Sequence, residues 1–265
     1  MSIRTHNTQL FALPAPPPEA LAVGRLQYRL ARVFKHDFFA ATCLYELADA
    51  PEAPGEAMPR IVVKFGRTQG FCGLPCQWLG RSYCRHEEAI YAALAGVRGV
   101  PRWAGRLGEA VWAIEYIEAQ PMDHLPSVAP AVFDRLRGIF DAIHARGVGY
   151  CDANKRSNIL VTAAGEPFLV DYQISIRRHD DWPWPLRAMA AAAVRYAAQK
   201  DLYHLYKHKR RLCPQALTPE QEALSRGRTG WHLVHRRLTK PWRSLRRWFP
   251  LPRNRDIRWP TTSPR

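Results

Sequence analysis

The chain has 265 residues, 47% of them hydrophobic and 23% charged, which is enough apolar content for a core and too much for a disordered chain. Its 39 Lys+Arg against 23 Asp+Glu give a formal net charge of +16, yet residues 1–206 hold 23 basic and 20 acidic side chains and residues 207–265 hold 16 and 3. The body is therefore near neutral, and the high charge does not by itself make the protein a nucleic-acid binder. No apolar run reaches the about 18 residues of a membrane-spanning helix. The longest candidate, around Ala188–Val194, is short and Ala-rich, and the N-terminus lacks the apolar core and cleavage site of a signal peptide. A cytoplasmic location is expected. Six cysteines are too few for a disulfide scaffold. Cys72, Cys76 and Cys84, with His86 nearby, lack the paired C-x2-C of a zinc site and are read as buried or incidental thiols.

In chain order, residues 14–18 ("PAPPP") read as an extended linker, so residues 1–22 form an N-terminal extension. Leu26–Leu47 is rich in aromatic and aliphatic residues and reads as two strands around a turn near Lys35–Asp37. After a loop, "RIVVKFG" is a short buried strand carrying one charge near its end, Lys64. Residues 67–83 are Gly-rich without a clear period and read as an inserted loop. Helical spacing starts at Glu87, with Ile90, Tyr91 and Leu94 on one face, and Gly96–Pro101 stop it. "AVWAIEYIE" at 110–118 is another apolar strand. Val132, Phe133, Leu136, Ile139, Phe140 and Ile143 recur at helical intervals, which predicts an amphipathic helix over 128–146 ended by Gly147. "NILVT" and "FLVDY" then read as strands around the turn "AAGEP". Strands first and helices afterwards imply an α+β protein with two lobes.

The most informative stretch is 141–174. There a helix ends, a loop presents Asp152, and Asn158 opens a hairpin that closes at Asp171. Two carboxylates and an amide oxygen are hard ligands suited to Mg²⁺, and one Asp can take the proton of an attacking hydroxyl. His144, at the end of the preceding helix, is read as structural or exposed.

In this segment the sequence resembles the protein-kinase-like superfamily. Asp152 resembles the catalytic Asp of H-R-D-x-x-x-x-N, Asn158 its metal-binding Asn, and Asp171 the Asp of D-F-G. Upstream, Lys64 in "IVVK" resembles the strand lysine that holds the α- and β-phosphates. Glu87 resembles its helix partner, with Glu88 as the alternative. "AIEYIE" resembles the hinge, where the Glu115 carbonyl and Ile117 amide would meet adenine, with Ile114 behind. The resemblance covers roughly residues 26–175. It implies a two-lobed kinase-like fold, with a small β-rich N-lobe over 23–118 and a mainly helical C-lobe over 119–215. The cofactors it implies are ATP and Mg²⁺.

Three features depart from the pattern. Asn158 lies six residues after Asp152, where five is usual. Tyr150 stands in place of His and "DYQ" in place of D-F-G. The segment "RVFKHDFFAATCLYE" has no glycine where G-x-G-x-x-G would cover the phosphates, so Lys35 and His36 are either its phosphate contacts or simply a charged hairpin tip. No A-P-E triplet follows Asp171, so a peptide-binding platform is not expected. Asp201 is either a prop for the catalytic loop or a capping or solvent-facing residue.

Within the superfamily, "KHDFFAAT", the 67–83 insertion, "GVRGVP" and "KRSNILV" resemble the small bacterial lipopolysaccharide-kinase group, which phosphorylates Kdo or heptose. That resemblance implies transfer to a sugar hydroxyl of an anionic glycolipid. A protein Ser/Thr acceptor or a non-catalytic pseudokinase scaffold are the alternatives. Residues 216–265 form a basic segment, with Trp231, Trp242, Trp248 and Trp259 set among arginines. It reads as a solvated face, as an anionic membrane surface contact at the inner face of the cytoplasmic membrane, or as a nucleic-acid contact, the last being the least favoured.

Overall fold

Runs of β-branched and aromatic residues near the N-terminus build the sheet, and a Pro-started amphipathic run later builds the helical part. A computed structural model describes residues 11–48, 58–71 and 73–227. The class is α+β. A six-stranded sheet has the order β1-β2-β3-β4-β6-β5, with β1 Ala20–Val23, β2 Leu26–His36, β3 Ala40–Leu47, β4 Arg60–Gly66, β5 Trp103–Gly108 and β6 Val111–Glu115. The described residues divide into two compact units, one within 11–84 together with 107–112, the other 85–106 with 113–227.

In the first unit, β2 and β3 form the hairpin whose turn lies at 37–39. Register shifts between Leu30 and Arg32 and between Val33 and Lys35 mark bulges that increase the twist of β2. β3 pairs antiparallel with β4, placing Thr42 opposite Lys64. Ala41, Cys43, Tyr45, Ile61 and Val63 alternate inward and are fully buried, the period-two pattern of a half-buried sheet.

Helix α1 runs Gln77–Ala93, so it begins ten residues before Glu87. The expectation of a loop through residue 83 is thus corrected. Its first turns carry Gly80, a weak helix former, and an exposed Trp78, so no apolar stripe is written there. Ile90, Tyr91 and Leu94 are buried.

The second unit is organised on α2, Pro130–Ala145, whose buried residues are the six that the helical spacing marked. Each such side chain stabilises by about 1.5–3 kcal/mol on burial. Around it lie β7 Ala119–Pro121, β9 Ile159–Thr162 and β10 Pro167–Leu169 in one sheet, and β8 Val148–Gly149 paired with β11 Ile176–Arg177. The 29-residue α3, Trp184–Leu212, is too Ala-rich to show a period, yet it buries Val194, Ala197, Asp201 and Leu205. Gly149 permits its approach, since a Cβ there would lie 2.5 Å from the Ala197 Cβ. Helix α4, Pro219–Arg226, starts with a capping box between Thr218 and Gln221 and is tied to α3 by Arg210, which donates to Ser225 Oγ at 2.9 Å. Among the described residues no helix is long and apolar enough to cross a membrane. Most of the basic segment, with its four tryptophans, lies outside the described residues.

Candidate active site in the second unit

The loop after β8 is held from one side by a single carboxylate. Asp201 of α3 is fully buried, and its oxygens accept the backbone N–H groups of Tyr150 at 2.8 Å and Cys151 at 2.9 Å. The His144 ring is 3.1 Å from the same carboxylate and stacks on Phe140. Burial pushes the Asp201 pKa up, and the three hydrogen bonds oppose that shift. This pair of backbone bonds holds Cys151 at φ +68°, a conformation that costs a non-glycine residue about 1–3 kcal/mol. Asp171 at φ +63° is the other non-glycine residue in that region among the described residues. Backbone strain therefore falls at the two places that aim Asp152 and Asp171.

From Asp152 the chain makes two successive tight turns, Lys155 N to Asp152 O at 3.0 Å and Asn158 N to Lys155 O at 3.1 Å. These absorb the extra residue of the loop. Asn158 Nδ2 donates to Asp152 Oδ2 at 2.7 Å, and Lys155 Nζ lies 2.6 Å from the same oxygen. Because the Asn158 amide nitrogen is committed to Asp152, its amide oxygen is the atom left for a cation.

Tyr150 links this loop to the segment after β10 that carries Asp171. Its hydroxyl donates to the Val170 carbonyl, and its carbonyl accepts from Ser175 Oγ at 2.9 Å. The Tyr150 ring packs edge-on to Tyr172 at 5.2 Å, and Tyr172 packs on Tyr91 at 5.2 Å. Burial holds all three phenols well above their ordinary pKa, and both Asp152 and Asp171 add to the effect at Tyr150. The two carboxylates thus act on one buried ring, although 19 residues separate them in sequence.

Cations surround the loop. Lys207 Nζ bonds Asn154 Oδ1 at 3.1 Å, and His208 sits buried with its Nε2 2.9 Å from Ala153 O. Burial, then the charges of Lys207, Arg156 and Arg211, hold His208 below its ordinary pKa, so the ring is neutral at pH 7.

The remaining sequence-marked residues lie as follows. Glu87 is buried in the second unit. The Glu115 carboxylate is gripped by Arg102 through Nε at 3.2 Å and a terminal nitrogen at 3.1 Å, and Ile117 follows two residues later. In the first unit Lys64 is buried with Nζ 6.0 Å from the Trp112 ring centroid, Lys35 pairs with Asp37 at 2.7 Å, and buried His36 accepts the Leu13 N–H at 3.2 Å. Sequence reading missed Lys155, whose contact with Asp152 follows only from the fold of the loop. It also missed Tyr150 as a link, although its place before Cys151–Asp152 was a usable signal.

No protein-family model matches the sequence, and no curated protein does. Among solved structures, the chain is similar to the Rio2 kinase from Chaetomium thermophilum, at TM-score 0.49 and 14% identity over 79% of this chain and 70% of that one. It is also similar to the Rio2 kinase-ADP/Mg²⁺-phosphoaspartate complex from the same organism, at TM-score 0.48 and 16% identity. That match covers 80% of this chain and 63% of the other, so the chain spans less than two thirds of that relative's length.

Proposed function

We propose that this protein is an ATP-dependent phosphotransferase of the protein-kinase-like type. The observation that carries the reading is the bond between Asp152 and Asn158 in a loop strained and held by Asp201. In this reading Asp152 orients an acceptor hydroxyl and takes its proton. The acceptor oxygen bonds to the γ-phosphorus, the bond to the β–γ bridging oxygen breaks, and ADP leaves. Asp171 and the Asn158 amide oxygen would hold Mg²⁺, which supplies charge neutralisation at phosphate oxygens. The reading gives Lys64 a phosphate contact with Glu87 to orient it, and gives the Glu115 carbonyl and Ile117 amide the adenine edge.

The acceptor we propose is a sugar hydroxyl on an anionic glycolipid. Its support is the sequence resemblance together with Lys155, Arg156, Lys207 and Arg211 around the loop, a surface that favours negative charge. A peripheral place at a membrane follows from that acceptor. The test is ATP consumption with core sugars, glycolipid and generic protein substrates, using wild type and Asp152→Asn. Turnover should fall by roughly 10²–10⁴-fold in the variant while the Mg·ATP thermal shift persists. Unchanged phosphoryl transfer in Asp152→Asn sinks the assignment.

One observation favours a second reading, a non-catalytic scaffold. The Asp37 carboxylate accepts the N–H groups of Phe39 at 2.9 Å and Ala40 at 3.1 Å, so those amides at the hairpin tip are taken. Absence of any Mg·ATP thermal shift in the wild type would select it.

A further inference from the structure

The β2–β3 tip has no glycine, and two of its amides are bonded to Asp37. With those two amides taken, we assign the phosphate contact there to a side chain. The exposed candidate is Lys35, whose ammonium is held 2.7 Å from Asp37 Oδ2. The tip itself is fixed by a fully buried arginine just beyond β4. Arg67 donates to the Phe38 carbonyl at 2.9 Å, the Phe11 carbonyl at 3.1 Å and the Gly70 carbonyl at 2.8 Å, and its guanidinium lies 3.8 Å from the Phe38 ring centroid.

Burying an arginine is costly unless its donors find partners, and three backbone carbonyls hold the two terminal nitrogens of Arg67 in place. The backbone of Arg67 is equally constrained. A Cβ on Gly80 would fall 2.4 Å from Arg67 O, and one on Gly66 would fall 2.8 Å from Gly80 Cα, so β4 and the start of α1 meet backbone to backbone. A strap of the N-terminal segment completes the clamp. Ala12 N bonds Asp37 O at 2.8 Å, Thr68 N bonds Ala12 O at 2.9 Å, and Gln69 Nε2 donates to Leu13 O.

We infer that Arg67 is a positioning residue that holds the tip rigid and thereby presents the Lys35 ammonium to the phosphates of the nucleotide. A flexible glycine-rich loop wraps phosphate with its amides. This tip is preformed, and it makes the contact with one side chain aimed through Phe38 and Asp37. The inference rests on the nucleotide-binding reading above.

The experiment measures binding of Mg·ATP and of adenosine to the full chain as wild type, Arg67→Lys, Lys35→Ala and the double variant, with thermal unfolding to check folding. Lysine keeps the charge but can neither fork to three carbonyls nor stack flat on Phe38. Arg67→Lys should weaken Mg·ATP about tenfold and leave adenosine within twofold. Lys35→Ala should do the same, and the double variant should be no worse than either single one, because both remove one contact. Should Arg67→Lys fail to fold, Phe38→Leu serves instead and should show the same selective loss. Equal weakening of adenosine and Mg·ATP, additive losses in the double variant, or no loss at all would each overturn the inference. Failure of the wild type to bind Mg·ATP would overturn the nucleotide reading first and this inference with it.

Discussion

Asp201 Oδ1 accepts the backbone N–H of Cys151 at 2.9 Å and so holds a non-glycine residue at φ +68°, one position before Asp152. A carboxylate 50 residues downstream thus sets the direction of the carboxylate that the proposed reaction uses. The device works because the acceptor is buried. In a water-excluded setting two N–H bonds to one carboxylate outweigh the strain they impose.

Replacing Asp201 with Asn leaves a group that can accept but also carries an NH2 facing donors. We expect Asp201→Asn to lower stability by about 2–4 kcal/mol, since breaking buried charge-assisted bonds strands the Tyr150 or Cys151 amide. Chemical denaturation measures it. A loss below about 0.5 kcal/mol would mean that Asp201 does not hold the loop.

The buried tyrosines give a pair of opposite outcomes. The Tyr150 hydroxyl bonds the Val170 carbonyl, whereas the buried Tyr172 hydroxyl has no hydrogen-bond partner among the described residues. Tyr150→Phe should therefore destabilise by about 1–2 kcal/mol, and Tyr172→Phe should be neutral or stabilise by about 1 kcal/mol. Melting temperatures moving in the same direction would contradict this.

Lys155 separates activity from stability. Its ammonium is more than half exposed beside Asp152, so the ion pair contributes little to folding, at most about 1 kcal/mol. Lys155→Met should leave the melting temperature nearly unchanged and reduce turnover by roughly tenfold or more, because a charge next to the reacting carboxylate is lost. Steady-state kinetics alongside thermal unfolding reads both.

Acidification should destabilise the protein through two histidines. Burial holds His36 below its ordinary value of 6.5, against a raising effect of Asp37. Burial also lowers His208, with neighbouring cations adding to that. The unfolded chain therefore takes up these protons at higher pH than the folded one. Stability is full above about pH 7 and is lost as pH falls below 6.5 through the folded values. Melting temperature should drop between pH 7.5 and 5.5, and drop less in a His36→Gln, His208→Gln double variant. Parallel curves would refute the assignment.

Much of this protein is legible in its sequence. The hairpin around Lys35–Asp37 and the strand carrying Lys64 follow from runs of aromatic and aliphatic residues, and the six buried positions of α2 from helical spacing, because burial on one face writes itself into spacing. The start of α1 did not, because its contact surface is glycine against backbone. The 29 residues of α3 showed no period for a related reason, alanine being tolerated on either face of a helix.

By itself the sequence determined the class of the fold and the order of the chemical groups, Asp152, Asn158 and Asp171 on loop and hairpin. Those depend on local spacing, which one chain segment can encode. Only the tertiary structure decided how they are aimed. The turns that bring Asn158 to Asp152, the Asp201 carboxylate beneath Cys151 and the Arg67 cradle under Phe38 join segments up to 56 residues apart. Such contacts depend on buried polar groups finding partners in three dimensions, and no local pattern records which partner is found.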